Sequence, residues 1–252
     1  MSALTQNILK TGLPHRPWAY PEFPWSVRQD WLHLSFLHWE TDPGLLQALL
    51  PEPLKLDTYE GKAYIGLVPF LMDNVRPRFL PCVPGVSRFP ELNIRTYVTL
   101  GEKPGVFFFS LDADSWTAVW IGKKAFHLPY FSAEIRFETD DSGVRFESQR
   151  RGLSLGEEAF SGTFSGSGDI YYAEKGSLEY FLTERYCFYA EIRGVGVVRS
   201  DVAHKPWPIR KGLAQIEVNS MVGRYGVEAN RTPDLVHSTP GVQVLGWWPQ
   251  SV

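Results

Sequence analysis

The chain has 252 residues, of which 44% are hydrophobic, 14% aromatic and 21% charged, a balance typical of a globular protein rather than a disordered or membrane-spanning one. Its formal net charge of −3 at pH 7 provides no general attraction to nucleic acid or to an anionic membrane surface, so we expect neither as a partner. Cys82 and Cys187 lie far apart, and the first residues contain no secretory signal, which favours a reducing cytoplasm.

Residues 1–25 are rich in proline and aromatic side chains, which predicts an extended arm rather than a helix. No change in composition and no charged linker divides the rest of the chain. We therefore expect a single domain over residues 1–252, with the arm laid across it. A Gly- and Ser-rich segment, residues 152–169, is predicted to be a long connecting loop.

The regular elements are predicted from apolar alternation, capping residues and turn residues. Three short helices are expected, each with a Ser, Thr or Asp able to cap it, at residues 44–50, 115–127 and 177–185. Strands are expected at residues 31–39, 54–57, 63–70, 92–100, 106–111, 132–139, 144–149, 187–192, 195–202 and 213–218. In the first strand, Leu32, Leu34 and Phe36 should share one face. This order predicts an α+β fold, mainly β, with a closed or strongly curved antiparallel sheet.

Motifs for metals and nucleotides are missing from the sequence. The six histidines form no HxH or HExxH motif, and none lies at ligand spacing from a cysteine. The chain has no P-loop and no complete dinucleotide-binding fingerprint. We therefore predict no metal and no cofactor.

The segment 88–98 is more informative because it alternates polar and apolar side chains. Glu91, Asn93, Arg95 and Tyr97 fall on one face of a strand, and the apolar residues between them fall on the other. On an outer surface such a polar row is simply solvated. If the sheet closes with the row inward, the same residues converge in a pocket of low dielectric constant. The sequence leaves both readings open.

Two other features have both a functional and a structural interpretation. Lys123 and Lys124 could supply the paired cations that activate a Schiff-base lysine, although adjacent lysines on a helix are more often solvated. The run from His204 to Trp207 and Pro208 suits the rim of a pocket, and it suits the closing edge of a sheet equally well.

Several blocks of the sequence resemble the bacterial YqjF-like family of unknown function. They are residues 30–39, 50–57, 66–70, 89–98, 109–113, 127–130, 184–187 and 204–208. That family is grouped with acetoacetate decarboxylase, whose fold is a closed, largely antiparallel β-barrel around an apolar cavity. The resemblance therefore implies that the polar row faces inward.

The resemblance transfers only part of the decarboxylase site. Glu91 matches one of the active-site glutamates of that enzyme. The second glutamate falls near Ile65 or Gly66, and the active-site arginine falls at Gln29. The Schiff-base lysine aligns with Tyr130, so the carbonyl chemistry of the family is not carried over.

These observations predict a cytoplasmic protein that binds, and could transform, a small organic acid or carbonyl compound. Glu91 is expected to act as acid, base or orienter, Arg95 to hold a carboxylate, and Tyr130 to donate a hydrogen bond. Further ligand contacts are expected from Asn93, Tyr97, His127, His204 and Trp207. The alternatives are a non-catalytic binding or sensor module and, third, a Schiff-base lyase that uses Lys123 or Lys124. The sequence is compatible with a homo-oligomer.

Overall fold

A computed structural model describes Leu9 and residues 14–192, 194–228 and 231–252; most of the first half of the predicted arm lies outside the described residues. The helices are α1 (Pro43–Ala48), α2 (Trp116–Ala125) and α3 (Leu178–Thr183). The strands are β1 (Val27–Thr41), β2 (Lys55–Leu56), β3 (Ala63–Pro77), β4 (Phe89–Leu100), β5 (Lys103–Ala113), β6 (Tyr130–Asp140), β7 (Gly143–Arg150), β8 (Ala159–Tyr171), β9 (Cys187–Ile192), β10 (Gly196–Ala203), β11 (Ile209–Asn219), β12 (Leu235–Gly246) and β13 (Gln250–Ser251).

All of these strands belong to one sheet, which closes into two rings with a common wall. The wall consists of β12, β1, β3, β4 and β5, paired antiparallel in that order. β9 and β10 connect β5 back to β12 and complete a seven-strand ring. β6, β7, β8 and β11 connect the same two strands on the other side and complete a nine-strand ring. The predicted mainly β, strongly curved sheet is confirmed.

The common wall is buried on both faces, because each face forms the core of one ring. On β3, Val68 and Phe70 pack in the core of the seven-strand ring, whereas Ile65 and Leu67 pack in the core of the nine-strand ring. A strand buried on both sides has no solvated face and carries a nearly continuous apolar sequence. This accounts for the apolar run at the start of β3.

The three helices begin at side-chain caps that the sequence indicated. The Ser115 hydroxyl accepts a hydrogen bond from the backbone N–H of Ala118, and the Ser177 hydroxyl accepts one from Tyr180. Asp42 caps α1, which has Pro43 in its first turn. Each cap satisfies a backbone donor that the helix itself leaves open.

Two predictions about strands need correction. The loop predicted at residues 152–169 is wrong over its second half, since Ala159–Tyr171 is strand β8. Its glycines permit close approach: a Cβ on Gly162 would lie 2.6 Å from the Gln215 backbone oxygen of β11. In β1, Trp31 rather than Leu32 joins Leu34 and Phe36 in the core of the seven-strand ring. The φ angle of His33 is 53°, and this irregularity interrupts the alternation.

Among the described residues, no helix has the length and apolar character needed to cross a membrane.

Candidate functional site

One face of β4 carries a row of polar side chains into the seven-strand ring. Glu91, Asn93, Arg95 and Tyr97 all lie on this face, and none is more than 9% exposed. Leu92, on the opposite face, belongs to the core of the nine-strand ring. The row is therefore enclosed rather than solvated. We call these four residues the inner row.

At one end of the inner row, Glu91 is held as a buried carboxyl group. The Tyr130 hydroxyl donates to Glu91 Oε2 at 2.7 Å. Burial raises the pKa of Glu91 to about 7, although the interactions of the carboxyl with Tyr130 and Asn93 oppose that rise. A carboxyl group that titrates near neutral pH can both give and take a proton, as an acid–base group requires. Burial, followed by the charge of Glu91, raises the pKa of Tyr130 well above 10, so the phenol remains a donor.

At the other end, Arg95 is a buried cation that forms no ion pair with any described residue. Arg95 Nη2 donates to the backbone oxygen of Leu182 in α3 at 3.1 Å, and the guanidinium carbon lies 5.2 Å from the Phe36 ring centroid. Its Nε has no hydrogen-bond partner among the described residues. The other buried arginines of the described residues each pair with an aspartate: Arg16 with Asp201, Arg28 with Asp30, Arg150 with Asp112 and Arg185 with Asp57.

His38 on β1 completes this end of the site. The Tyr97 hydroxyl donates to the Leu182 backbone oxygen at 2.8 Å, so His38 Nε2, 2.6 Å away, must donate to the Tyr97 oxygen. Burial lowers the pKa of His38 well below 6.5, and the charge of Arg95 lowers it further. The ring is therefore neutral, with its proton on Nε2 and an open lone pair on Nδ1.

Space for these groups comes from Gly66 on β3. A Cβ at that position would lie 3.2 Å from the His38 ring and 3.4 Å from Arg95 Cγ. The resemblance placed a second active-site glutamate near Ile65 or Gly66, and of these two residues Ile65 packs in the core of the nine-strand ring. The inner face therefore has no carboxylate there, and Glu91 has no acidic neighbour at that position.

Four buried polar atoms on this side of the wall have no hydrogen-bond partner among the described residues: Asn93 Oδ1, Arg95 Nε, His38 Nδ1 and His237 Nδ1. His237 pairs in register with Phe36, next to His38 on β1. An unsatisfied buried polar atom costs about 1–3 kcal/mol. Such atoms collected on one inner face suit a site that binds a polar ligand.

The other predicted contact residues lie in three different settings. Trp207 is buried, with its ring 5.2 Å from the Phe36 ring, and forms an aromatic part of the same core. His204 is buried too, but its ring nitrogens face the backbone oxygens of Lys205 and Arg185, and its ring stacks on Tyr186. His127 is exposed beyond the end of α2, and the structure does not bring it to the inner row.

Lys123 and Lys124 lie on the exposed side of α2. Neither has the desolvated setting that activates a Schiff-base lysine, and within the described ranges every lysine is exposed or only half-buried. Gln29, at the position of the arginine in the decarboxylase, accepts a hydrogen bond from Trp31 Nε1. The cation of this site therefore comes from β4 instead.

The fold is acetoacetate decarboxylase-like. The chain resembles acetoacetate decarboxylase from Legionella pneumophila with a TM-score of 0.60 at 13% identity, over 98% of this chain and 95% of that one. It resembles an acetoacetate decarboxylase-like enzyme from Sphingomonas wittichii with a TM-score of 0.59 at 14% identity, over 96% of this chain and 100% of that one. A third similar structure is the enduracididine biosynthesis enzyme MppR complexed with the condensation product of pyruvate and imidazole 4-carboxaldehyde. Its TM-score is 0.58 at 14% identity, over 94% of this chain and 95% of that one.

By sequence, the chain belongs to the DUF2071 family of uncharacterized conserved proteins, whose model matches residues 28–243. It is 40% identical over 229 residues to the uncharacterized protein YqjF of Bacillus subtilis (strain 168), covering 91% of this chain and 93% of that protein. The predicted family resemblance is confirmed.

Proposed function

We propose that the protein binds a small organic acid inside the seven-strand ring and exchanges a proton with it at Glu91. The observation that carries this proposal is the Arg95 guanidinium, which has no ion-pair partner within the described residues and lies on the same inner face as the Glu91 carboxyl. A buried cation without a counter-ion is costly. A ligand carboxylate would compensate that charge through charge-assisted hydrogen bonds.

The chemistry at the Glu91 end of the inner row fits an acid with a carbonyl or an acidic C–H or O–H group. Tyr130 remains a hydrogen-bond donor, and Glu91 changes protonation state near pH 7. Together they can polarise a ligand oxygen and shuttle a proton. The exposure of Lys123 and Lys124 argues against a covalent Schiff base and leaves non-covalent binding, with or without turnover.

The small molecules bound by MppR support a ligand of this size. The proposal places the protein in the cytoplasm, because Cys82 and Cys187 are free thiols and unpaired cysteines persist in reducing compartments. It involves no nucleic-acid or membrane partner.

Thermal stabilisation by short carboxylic acids tests the proposal. We expect acetoacetate and butyrate to raise the melting temperature of the wild-type protein, and butyramide, which has the same shape without the charge, to have little effect. Arg95→Gln should weaken binding of the acids by about 10- to 100-fold, the range for a hydrogen bond to a charged group. Arg136→Gln, at an exposed position on β6, is the matched control.

Two outcomes would contradict the proposal. One is the absence of stabilisation by any short acid, and the other is equal stabilisation of wild type and Arg95→Gln. Proton exchange is tested separately, by using NMR to follow the incorporation of deuterium from D2O into acetoacetate in the presence of the protein. Saturable binding without exchange in wild type would instead support the binding or sensor module.

A further inference from the structure

We infer that the ligand is a hydroxycarboxylic acid, with a hydroxyl group two or three carbons from the carboxylate. This inference rests on the proposed function and specifies the substrate class of the same site. It follows from the donors and acceptors that the inner row and His38 leave open, which a simple fatty acid or oxo acid cannot match.

The first open group is the Asn93 side chain. The Asn93 side chain lies near enough to Glu91 to lower the pKa of that carboxyl, while Asn93 Oδ1 has no partner among the described residues. Asn93 is only 6% exposed, so bulk water does not satisfy this oxygen. An amide oxygen is a hydrogen-bond acceptor and needs a donor from the ligand.

The second open group is His38 Nδ1. Because Nε2 donates to Tyr97, the neutral ring presents Nδ1 as an acceptor, and His38 is fully buried. Arg95 Nε, in contrast, is an open donor and needs an acceptor from the ligand. The inner face therefore presents one open cationic donor and two open acceptors.

The positions of these groups fit one small molecule. Asn93 and Arg95 are two residues apart on one strand, so their Cα atoms are about 6.6 Å apart. His38 and Arg95 meet where Gly66 lacks a side chain, since a Cβ there would lie 3.2 Å from the His38 ring and 3.4 Å from Arg95 Cγ. A carboxylate bound to Arg95 thus brings a hydroxyl on a nearby carbon within reach of Asn93 or His38. Carboxylate and ketone oxygens only accept hydrogen bonds, so they would leave both acceptors unsatisfied.

Calorimetric titration of the full-length protein with three acids of one carbon skeleton tests this inference. The probes are 3-hydroxybutyrate as each separate enantiomer, butyrate and acetoacetate. We expect one enantiomer of 3-hydroxybutyrate to bind at least about 10-fold tighter than butyrate and acetoacetate, since a polar group of the site loses its partner in the latter two. This comparison uses wild-type protein alone and does not depend on the folding of any variant.

Asn93→Leu adds a second readout. It should reduce the preference for the hydroxy acid by several-fold and leave the affinity for butyrate within about three-fold, whereas Gln215→Leu at an exposed position on β11 should preserve both. Equal affinities of wild type for 3-hydroxybutyrate and butyrate would overturn the inference and leave the proposed function standing. Failure of all three acids to bind would overturn both.

Discussion

The Glu91 carboxyl occupies a position where ionisation costs folding free energy. Burial raises its pKa from 4.5 to about 7, so between these pH values the folded state keeps a proton that the unfolded state has released. The contribution of Glu91 to the stability of the protein must therefore fall as the pH rises through this window. Above pH 7 the full cost, about 3 kcal/mol, is present.

Glu91→Gln should remove this pH dependence, because an amide does not ionise. We expect the variant to gain about 3 kcal/mol over wild type between pH 4.5 and pH 8, measured as the difference between their urea unfolding free energies. The difference between the proteins is the informative quantity, because burial lowers the pKa of His38, His204 and His237, and these residues make stability rise with pH. Glu134→Gln, at an exposed site, is the control. A constant difference between wild type and Glu91→Gln across this range would contradict the raised pKa.

At the scale of elements, α2 positions the Tyr130 ring through a glycine. A Cβ on Gly122 would lie 2.3 Å from Tyr130 Cδ2, so the helix can pack on the ring only where a side chain is missing. Gly122 is buried and lies in the interior of α2. The close contact accounts for a residue that otherwise weakens a helix.

Gly122→Ala should displace Tyr130 from Glu91. Although alanine favours the helix by about 1 kcal/mol, overpacking typically costs about 1–3 kcal/mol, so we expect a lower melting temperature and weaker acid binding. Lys124→Ala, on the exposed side of the same helix, should change neither property. A more stable Gly122→Ala protein with unchanged binding would show that the packing of Tyr130 on α2 is unimportant.

Local patterns predicted most elements, because alternation and caps are properties of neighbouring residues. Strand β9 spans Cys187–Ile192, as predicted. β8 was predicted as a loop because its glycines indicate flexibility unless the close approach of β11 is known. β12 was not predicted, since Pro240 and Gly241 in its middle are typical of a turn.

The candidate site, like the fold, could be predicted only as far as local sequence patterns allow. Alternation alone placed Glu91, Asn93, Arg95 and Tyr97 on one face, but the direction of that face depended on closure of the sheet. His38 was missed as a site residue because its meeting with Tyr97 joins β1 to β4 across β3. No spacing in the sequence encodes that contact, although the shared parity of Phe36 and His38 in β1 could have suggested an inward histidine.

At the scale of the whole molecule, the two rings should unfold together because they share a wall. Leu67 and Phe70 both belong to β3 but lie in different cores. We expect Leu67→Ala and Phe70→Ala each to reduce the free energy of unfolding by about 2–5 kcal/mol. Each should therefore lower the urea midpoint of one and the same transition. Leu155→Ala, at a position 94% exposed, should leave it unchanged. Tryptophan fluorescence and circular dichroism should give coincident transitions, and two separated transitions would contradict a single unit.

The central claim is that the inner row is a ligand site built around a carboxyl group that titrates near neutral pH. The most direct measurement is the carboxyl ¹³C NMR titration of Glu91, assigned by its loss in Glu91→Gln, with and without a saturating short acid. We expect a midpoint of about 7 in the free protein and a higher midpoint with the acid bound, because a nearby anion disfavours ionisation. A midpoint near 4.5, or one that bound acid leaves unchanged, would contradict the account.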